Sequence, residues 1–571
     1  MRKNKKKQHI CILGMLMMSS MGMAQESLLF ENSYSPLEVE CQELGTRPEL
    51  QIRNVVLSNP AMLRHGLDNR RSYFNDNPKT LASSHSLVVA LQGAGGKMQG
   101  DFIPMEGNRF EDYSVVANGV MRGEKSLLYG KASFTSGSHR NIGWNAQRFP
   151  MTYWPYVVAD STGGNMNYET YNLLCAYSFR LNQRVDMGFF GEYKGDFAFR
   201  KTDPRIENIT SWLTLKCGAS YLLNGGSRIG LDIDYQLHRQ HTDIRHFRTG
   251  QFAGFFMEYG FGMYDYIHSP IYNSMKHQQH QHSYGANVIF SSNANHPLRL
   301  NARLGYGFDE MNTEENIHKL NLYRAMTYRL KADASLLWNN QSWGLGFTGH
   351  LESAQRQGHE YIFERYVSAT VDGVDVYDYR KIGQQDRYKM NMMQGNAQLK
   401  VSKYFGALST LSLFGGMEYL KREETYKEKG FLVRNALVTP QVGMEAKHSS
   451  KWGDARLTVC YGHRTSPEHQ YHVNVDMDRH TEYQHTFCTF AYYAHKADVL
   501  NLEAEVAHTF SFARMGLQLV WMWVTGNRLE NVAYDAGRYE AQIPSAKKKT
   551  VSITPDRHDQ HWMKLTLFAE F

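Results

Sequence analysis

Long apolar runs are missing from this sequence. No window holds eighteen uninterrupted apolar residues and mean hydropathy is −0.52, so helical membrane spans are excluded. Proline is scarce, at 14 in 571 residues, which leaves long strands uninterrupted. Cysteine is scarcer, at 6, and its wide spacing fits neither a disulfide framework nor a CxxC metal site. A strong charge of one sign is also missing. Five of the 63 cations (Arg2, Lys3, Lys5, Lys6, Lys7) lie in the first 24 residues, which contain no acid. The remainder holds 58 cations and 56 anions, a balance of only +2, and a nucleic-acid partner is not expected. What is abundant is aromatic: 35 Tyr, 29 Phe and 9 Trp, too many for a disordered chain.

The first 24 residues read as an export signal. A cationic stretch is followed by the nine apolar residues Ile10–Met18, too few to span a bilayer as a helix. Gly22-Met23-Ala24 supplies small residues before a cut ahead of Gln25. Cys11 sits inside the apolar block and not after a cleavage site, so no lipid anchor is expected.

Period-two alternation dominates the rest. In 229–238, Ile229, Leu231, Ile233, Tyr235 and Leu237 oppose Gly230, Asp232, Asp234, Gln236 and His238. In 298–309, Leu298, Leu300, Leu304, Tyr306 and Phe308 oppose Arg299, Asn301, Arg303 and Asp309. Such strands belong to antiparallel sheets with one wet face. Asn/Gly/Ser clusters, as in Asn224-Gly225-Gly226-Ser227, join them in pairs. Longer polar segments (138–167, 244–280, 354–387, 464–480, 526–558) separate the pairs. Strands of 10–16 residues with short turns at one end and long loops at the other are the layout of a transmembrane antiparallel up-and-down β-barrel. A secreted sandwich or propeller would also alternate, but would bury its apolar face, have shorter strands and carry less charge on the other face. Asp232, Asp234, Arg299 and Arg303 are then expected to face the lumen, and Leu231, Ile233, Leu300 and Leu304 the lipid.

Nineteen strand-like segments can be counted, including 85–97, 482–495, 499–511 and 515–525. Single-chain bacterial barrels need an even number, so at least one is not a strand, and 14–18 strands are expected. The weakest are 85–97 and the tight 499–525 region, where the apolar phase moves from even positions (Leu502, Ala504, Val506) to odd ones (Leu517, Leu519, Trp521). That shift predicts a turn or bulge near 512–515.

The last strand, Trp562 to Phe571, puts Met563, Leu565, Leu567, Ala569 and Phe571 on one face. An amphipathic final strand ending in Phe resembles the assembly signal of Gram-negative outer-membrane proteins. From residue 85 onward the chain resembles the uncharacterised outer-membrane β-barrel proteins of Bacteroidetes-type bacteria. The resemblance implies the outer membrane of a Gram-negative bacterium, with membrane lipid and the barrel-assembly machinery as partners and Phe571 as the assembly signal.

Residues 25–84 read as a separate periplasmic or hatch segment. Its Asn59-Pro60-Ala61 resembles the N-terminal hatch of the long-chain fatty-acid transporter family, which would make these residues part of a lumen plug for a hydrophobic solute. A proline starting a helix after an Asn cap explains the same three residues. The segment is too short for the globular plug of TonB-dependent receptors.

Chemistry is thin elsewhere. His277, His280 and His282 form the densest histidine cluster, and His280 and His282 share a strand face, where two imidazoles can ligate a metal. A solvated Gln/His loop is the simpler reading, and no cofactor is expected. His463 with Ser466, or Asp476 with His480, pose as rim catalytic groups, yet polar rim loops hold such residues by composition, so no enzyme is expected. The aromatic stretch Trp144 to Tyr156 fits an interfacial girdle or a lumen constriction. The expected function is a channel or transporter for a small, even hydrophobic, solute. The alternative is a structural barrel that binds a surface partner through its long loops.

Overall fold

The computed structural model describes residues 59–65, 85–100, 102–245, 247, 255–265, 274–293, 296–315, 319–406, 408–450, 452–473, 484–526 and 558–571. The export signal, most of 25–84, Asp476, His480 and most of the 526–558 loop lie outside the described residues.

Alternating residues impose one wall with two chemistries, and closure of that wall removes every edge. Eighteen strands form one sheet among the described residues. They are His85–Gln99, Arg109–Arg122, Ser126–Ile142, Gly164–Arg180, Val185–Phe199, Arg205–Leu222, Arg228–Arg245, Ser274–Ser291 and Leu298–Glu315. The second half comprises Leu320–Asn339, Trp343–Val371, Val374–Phe405, Ser409–Tyr426, Phe431–Ser450, Gly453–His472, Ala497–Thr509, Arg514–Gly526 and His558–Glu570. Each pairs antiparallel with the next, and the last pairs with the first, from Val88 opposite Glu570 to Gln99 opposite Asp559. The fold is a closed eighteen-stranded antiparallel β-barrel. Eight short turns and the C-terminus lie at one end, the turn end; the longer connections lie at the other, the loop end.

The two faces differ sharply. Leu231 and Ile233 are 56 % and 60 % exposed on the outer face, while Asp232 between them is 1 % exposed on the inner face. Leu300, Leu304, Tyr306, Leu330, Leu413 and Val442 continue the outer apolar band. Backbone groups in such a band have no other partner in lipid, so the ladder must close on itself.

Of the nineteen segments counted in the sequence, 482–495 is not a strand. Gln484–Ala494 is an α-helix. Phe487, Phe490, Ala491 and Ala494 are buried at helical spacing, and the helix satisfies its backbone within itself. Residues 85–99 and 497–526 are strands, and the phase change in the latter is the turn between Thr509 and Arg514. The polar segment 354–387 is not a loop but the tip of a hairpin whose strands run 29 and 32 residues. Its turn is Asp372-Gly373, both at positive φ (52° and 78°), the left-handed geometry of a two-residue hairpin.

Candidate functional site

The site grows out of three layers within the barrel. At the turn end lies the segment 59–65. Asn59 Oδ1 accepts from the Ala61 N–H at 2.8 Å, capping the short helix Pro60–Met62. Asn59 to Leu63 are all buried. Their seat is built from inner-face glycines: a Cβ on Gly188 would overlap the Pro60 backbone, and one on Gly218 would overlap the Asn59 side chain. A Cβ on Gly230 would lie 2.8 Å from Met62 Sδ and 2.9 Å from Asn59 Nδ2. Leu63 packs with Leu127, Tyr129, Leu174, Ala176 and Phe190, and His65 Nε2 lies 3.0 Å from Ser291 Oγ.

At the loop end, connections fold inward as a roof. Tyr156–Asp160, Phe255–Tyr259 and Tyr264–Asp265 form a small antiparallel sheet, and the helix Gln484–Ala494 lies beside the strands Phe431–Ser450 and Gly453–His472. The roof is bonded to many strands. Trp154 Nε1 and the Tyr388 hydroxyl each donate to Glu424 at 2.6 Å. Arg356 Nη2 donates to the Thr152 carbonyl at 3.1 Å, Gln279 Nε2 to the Tyr156 carbonyl at 2.7 Å, and Asn208 Nδ2 to the Ala146 carbonyl at 2.9 Å. Tyr156 stacks on Tyr323 at 4.5 Å. His485 Nε2 donates to Glu258 at 3.1 Å, tying the helix to the small sheet. Burial pushes the Glu106 carboxyl, on the connection 100–108, well above the usual carboxylate range against the pull of Arg148. Trp144 and Phe261 are both held at left-handed φ (56° and 59°), a conformation that costs a bulky residue about 1–2 kcal/mol and that the surrounding aromatic packing offsets. A cavity of about 40 Å³ among Trp154, Phe261, Arg422, His485 and Phe490 has room for about two or three waters.

Between floor and roof the inner wall is polar. Asn118, Asn172, Gln236, Gln394, Asn396, Gln398, Glu418 and Gln518 keep partial exposure there. Ion pairs link strands across the wall: Arg303 with Asp333 at 2.6 Å and Arg329 with Asp309 join neighbouring strands, and Lys400 reaches Glu445, two strands away, at 2.9 Å. Glu352, fully buried, accepts from Gln394 at 3.1 Å.

Residues 83–571 match the sequence profile described as Family of unknown function (DUF6850). The chain belongs to DUF6850. No curated protein sequence matches it. Among solved structures, it is similar to the ferric preacinetobactin receptor BauA from Acinetobacter baumannii (8 % identity, 85 % of this chain and 79 % of that one, TM-score 0.37). It is also similar to the FrpB iron transporter from Neisseria meningitidis, F5-1 variant (9 %, 86 % and 82 %, TM-score 0.38), and to a FadL homologue from Pseudomonas aeruginosa (10 %, 91 % and 94 %, TM-score 0.32). At these scores the likeness carries no argument about cargo.

In this DUF6850 barrel Asp232, Asp234, Arg299 and Arg303 all lie on the inner face. Asp234 is held by Asn287, whose Nδ2 lies 3.3 Å away and 2.8 Å from Asp232. The three candidate metal histidines do not converge. His277 is 1 % exposed on the inner face, whereas His280 and His282 sit on the outer face with ring centroids 5.6 Å apart. Among the described residues no three metal-ligating side chains cluster. His463 and Ser466 are likewise parted: His463 lies exposed beside Asp498, at 2.8 Å, and Ser466 is buried on the inner face. The aromatic stretch of 144–156 belongs to the roof, with Phe149, Tyr153 and Tyr156 at most 1 % exposed. Phe571 closes the ladder, its N–H donating to the Leu87 carbonyl at 2.7 Å and its carbonyl accepting from Leu87 at 3.1 Å.

Proposed function

We propose that this protein is a gated, non-enzymatic transport barrel of the Gram-negative outer membrane, with the turn end periplasmic and the loop end outside. The observation that carries the reading is that both obstructions of the lumen are segments outside the barrel wall, the 59–65 turn and the inward-folded connections. Either can move without breaking a barrel strand pair. The apolar outer band supports a lipid environment, and short turns are the periplasmic feature of such barrels. The polar wall between the obstructions favours a small polar or charged solute over the hydrophobic one implied by the fatty-acid transporter resemblance.

Two measurements test this. The protein is expected to fractionate with outer membranes and to migrate faster on gels before boiling than after. Recovery as a soluble periplasmic protein overturns the membrane reading. In planar bilayers, purified protein is expected to show brief openings that lengthen when residues 25–84 are removed. Absence of conductance in both forms overturns transport.

A surface-interaction role has one observation in its favour. Beyond Glu360 and Tyr388 the long hairpin pairs only with itself and exposes Val371, Val374, Val376 and Ile382. Replacing 362–382 by a short turn is expected to leave barrel assembly and conductance unchanged. Loss of conductance in that variant favours a role for the hairpin in the gate.

A further inference from the structure

The outer face of the wall changes character part-way along the strands, and it does so at a tyrosine on strand after strand. Followed from the turn end, Arg109–Arg122 reaches Tyr113, Gly164–Arg180 reaches Tyr171 and Leu320–Asn339 reaches Tyr328. Ser409–Tyr426 reaches Tyr419 and Gly453–His472 reaches Tyr461 in the same way. Between the turn end and these tyrosines, the outer positions of the five strands hold no Asp, Glu, Lys or Arg. Within two outer positions beyond them come Glu111, Glu169, Arg324, Lys421 and His463. The rings stand open on the outer face, Tyr113 at 68 %, Tyr171 at 54 % and Tyr461 at 46 % exposed. An apolar ring with a polar tip suits the boundary between hydrocarbon and water.

The lengths fit this division. The charge-free stretch, as from Leu411 to Tyr419, takes about ten residues, enough to cross a bilayer at the usual strand tilt. Yet Arg228–Arg245, Leu320–Asn339 and Ser409–Tyr426 have 18, 20 and 18 residues. The remainder of each rises roughly 20 Å beyond the band. On this collar the outer side chains form partly exposed ion pairs: Arg324 with Glu310 at 3.0 Å, Lys421 with Glu468 at 2.8 Å and Arg434 with Glu423 at 2.6 Å. Such pairs are at ease in water or among polar headgroups and costly against hydrocarbon. The roof is anchored to the collar. Gln279, Tyr323 and Glu424, which hold Tyr156 and Trp154, lie nearer the loop end than Tyr284, Tyr328 and Tyr419 of their own strands. The floor sits on the other side of that level. Gly188 and Gly230, which seat the 59–65 segment, lie nearer the turn end than Tyr193 and Tyr235.

Resting on the membrane reading above, we infer that the bilayer covers only the turn-end half of the wall, with its outer polar boundary at the level of these tyrosines. The collar and the roof it carries stand outside, in water and headgroups, while the 59–65 floor lies within the thickness of the membrane. A solute therefore meets the roof from water, and the roof can move without displacing lipid. Site-directed spin labelling of the full-length protein in phosphatidylcholine vesicles tests the boundary. In a background with the native cysteines replaced by alanine, single labels are attached through Leu231→Cys, Arg239→Cys and Arg245→Cys on one strand. Leu413→Cys and Glu423→Cys supply a second strand. Collisions of each label with oxygen, which concentrates in hydrocarbon, and with a water-soluble nickel chelate report its depth. Labels at Leu231 and Leu413 are expected to favour oxygen. Those at Arg239, Arg245 and Glu423 are expected to show an oxygen-to-nickel ratio several-fold lower. Heat-modifiable migration checks that each variant has folded. Oxygen preference at Arg239 and Glu423 overturns the collar and leaves the membrane reading standing. Nickel preference at all five sites in a heat-modifiable barrel overturns both. The expected gradient in a protein that shows no conductance supports the boundary and sinks transport alone.

Discussion

Gly218 packs directly against Asn59, so closely that a Cβ on the glycine would overlap the Asn59 amide. The same holds for Gly188 and the Pro60 backbone. These are inner-face strand positions, where glycine weakens a strand and is kept when another backbone approaches.

Gly188→Val is therefore expected to dislodge the 59–65 segment and lengthen channel openings in planar bilayers. Barrel stability is not expected to fall, since valine favours a strand. Gly191→Val supplies the control: a Cβ there has only an ordinary contact with Leu215 at 3.8 Å. Similar gating in both variants, or in neither, removes the segment from the gate.

Ile233 is 60 % exposed on the outer face, and its neighbour Asp234 faces the lumen beside Asn287. Ile233→Arg is expected to cost about 2–4 kcal/mol in denaturant unfolding from lipid vesicles, because the guanidinium meets hydrocarbon. Asp234→Asn keeps a polar group in a polar lumen and should cost far less. Equal losses would show that the outward face does not contact lipid.

Phe571 makes two backbone hydrogen bonds to Leu87 and is 55 % exposed. Ending the chain at Glu570 removes both bonds and the outer aromatic, so closure slows and unpaired groups face lipid at several kcal/mol each. Less assembled protein is expected, with more degraded or periplasmic chain, while the barrels that do form stay heat-modifiable. Wild-type accumulation would make the terminal Phe incidental.

The Glu106 carboxyl is held well above its ordinary range by burial. Its folded form thus keeps a proton that the loosened connection gives up, so the stability of residues 102–108 is full at acid pH. It falls as pH rises from the free carboxylate's value toward the folded one. Hydrogen exchange in this connection is expected to speed up as pH rises above the free carboxylate's range, beyond its intrinsic pH dependence, and Glu106→Gln is expected to remove the excess. An unchanged excess in the variant would assign the effect to another group.

The wall of the barrel was legible because its information is local. Period two in 229–238 and 298–309 decides which side chains face which way, and the turn clusters decide where the chain reverses. Parity alone already parts His277 from His280 and His282. The hairpin tip was readable too, since Asp372-Gly373 between Thr/Val-rich runs is a hairpin signal, but the surrounding charge masked it as a loop. The segment 484–494 reads either way, because Phe487, Thr489 and Ala491 alternate as well as Phe487, Phe490 and Ala494 repeat helically; only its packing inside the closed wall selects the helix. Tertiary structure also decided that the 144–156 aromatics turn inward, where inner-wall groups such as Gln279, Arg356 and Glu424 bond the stretch. Leu87 and Phe571 are more than 480 residues apart, and no local pattern links them. They meet because the last strand must pair with the first to satisfy its backbone, a demand of the closed sheet as a whole.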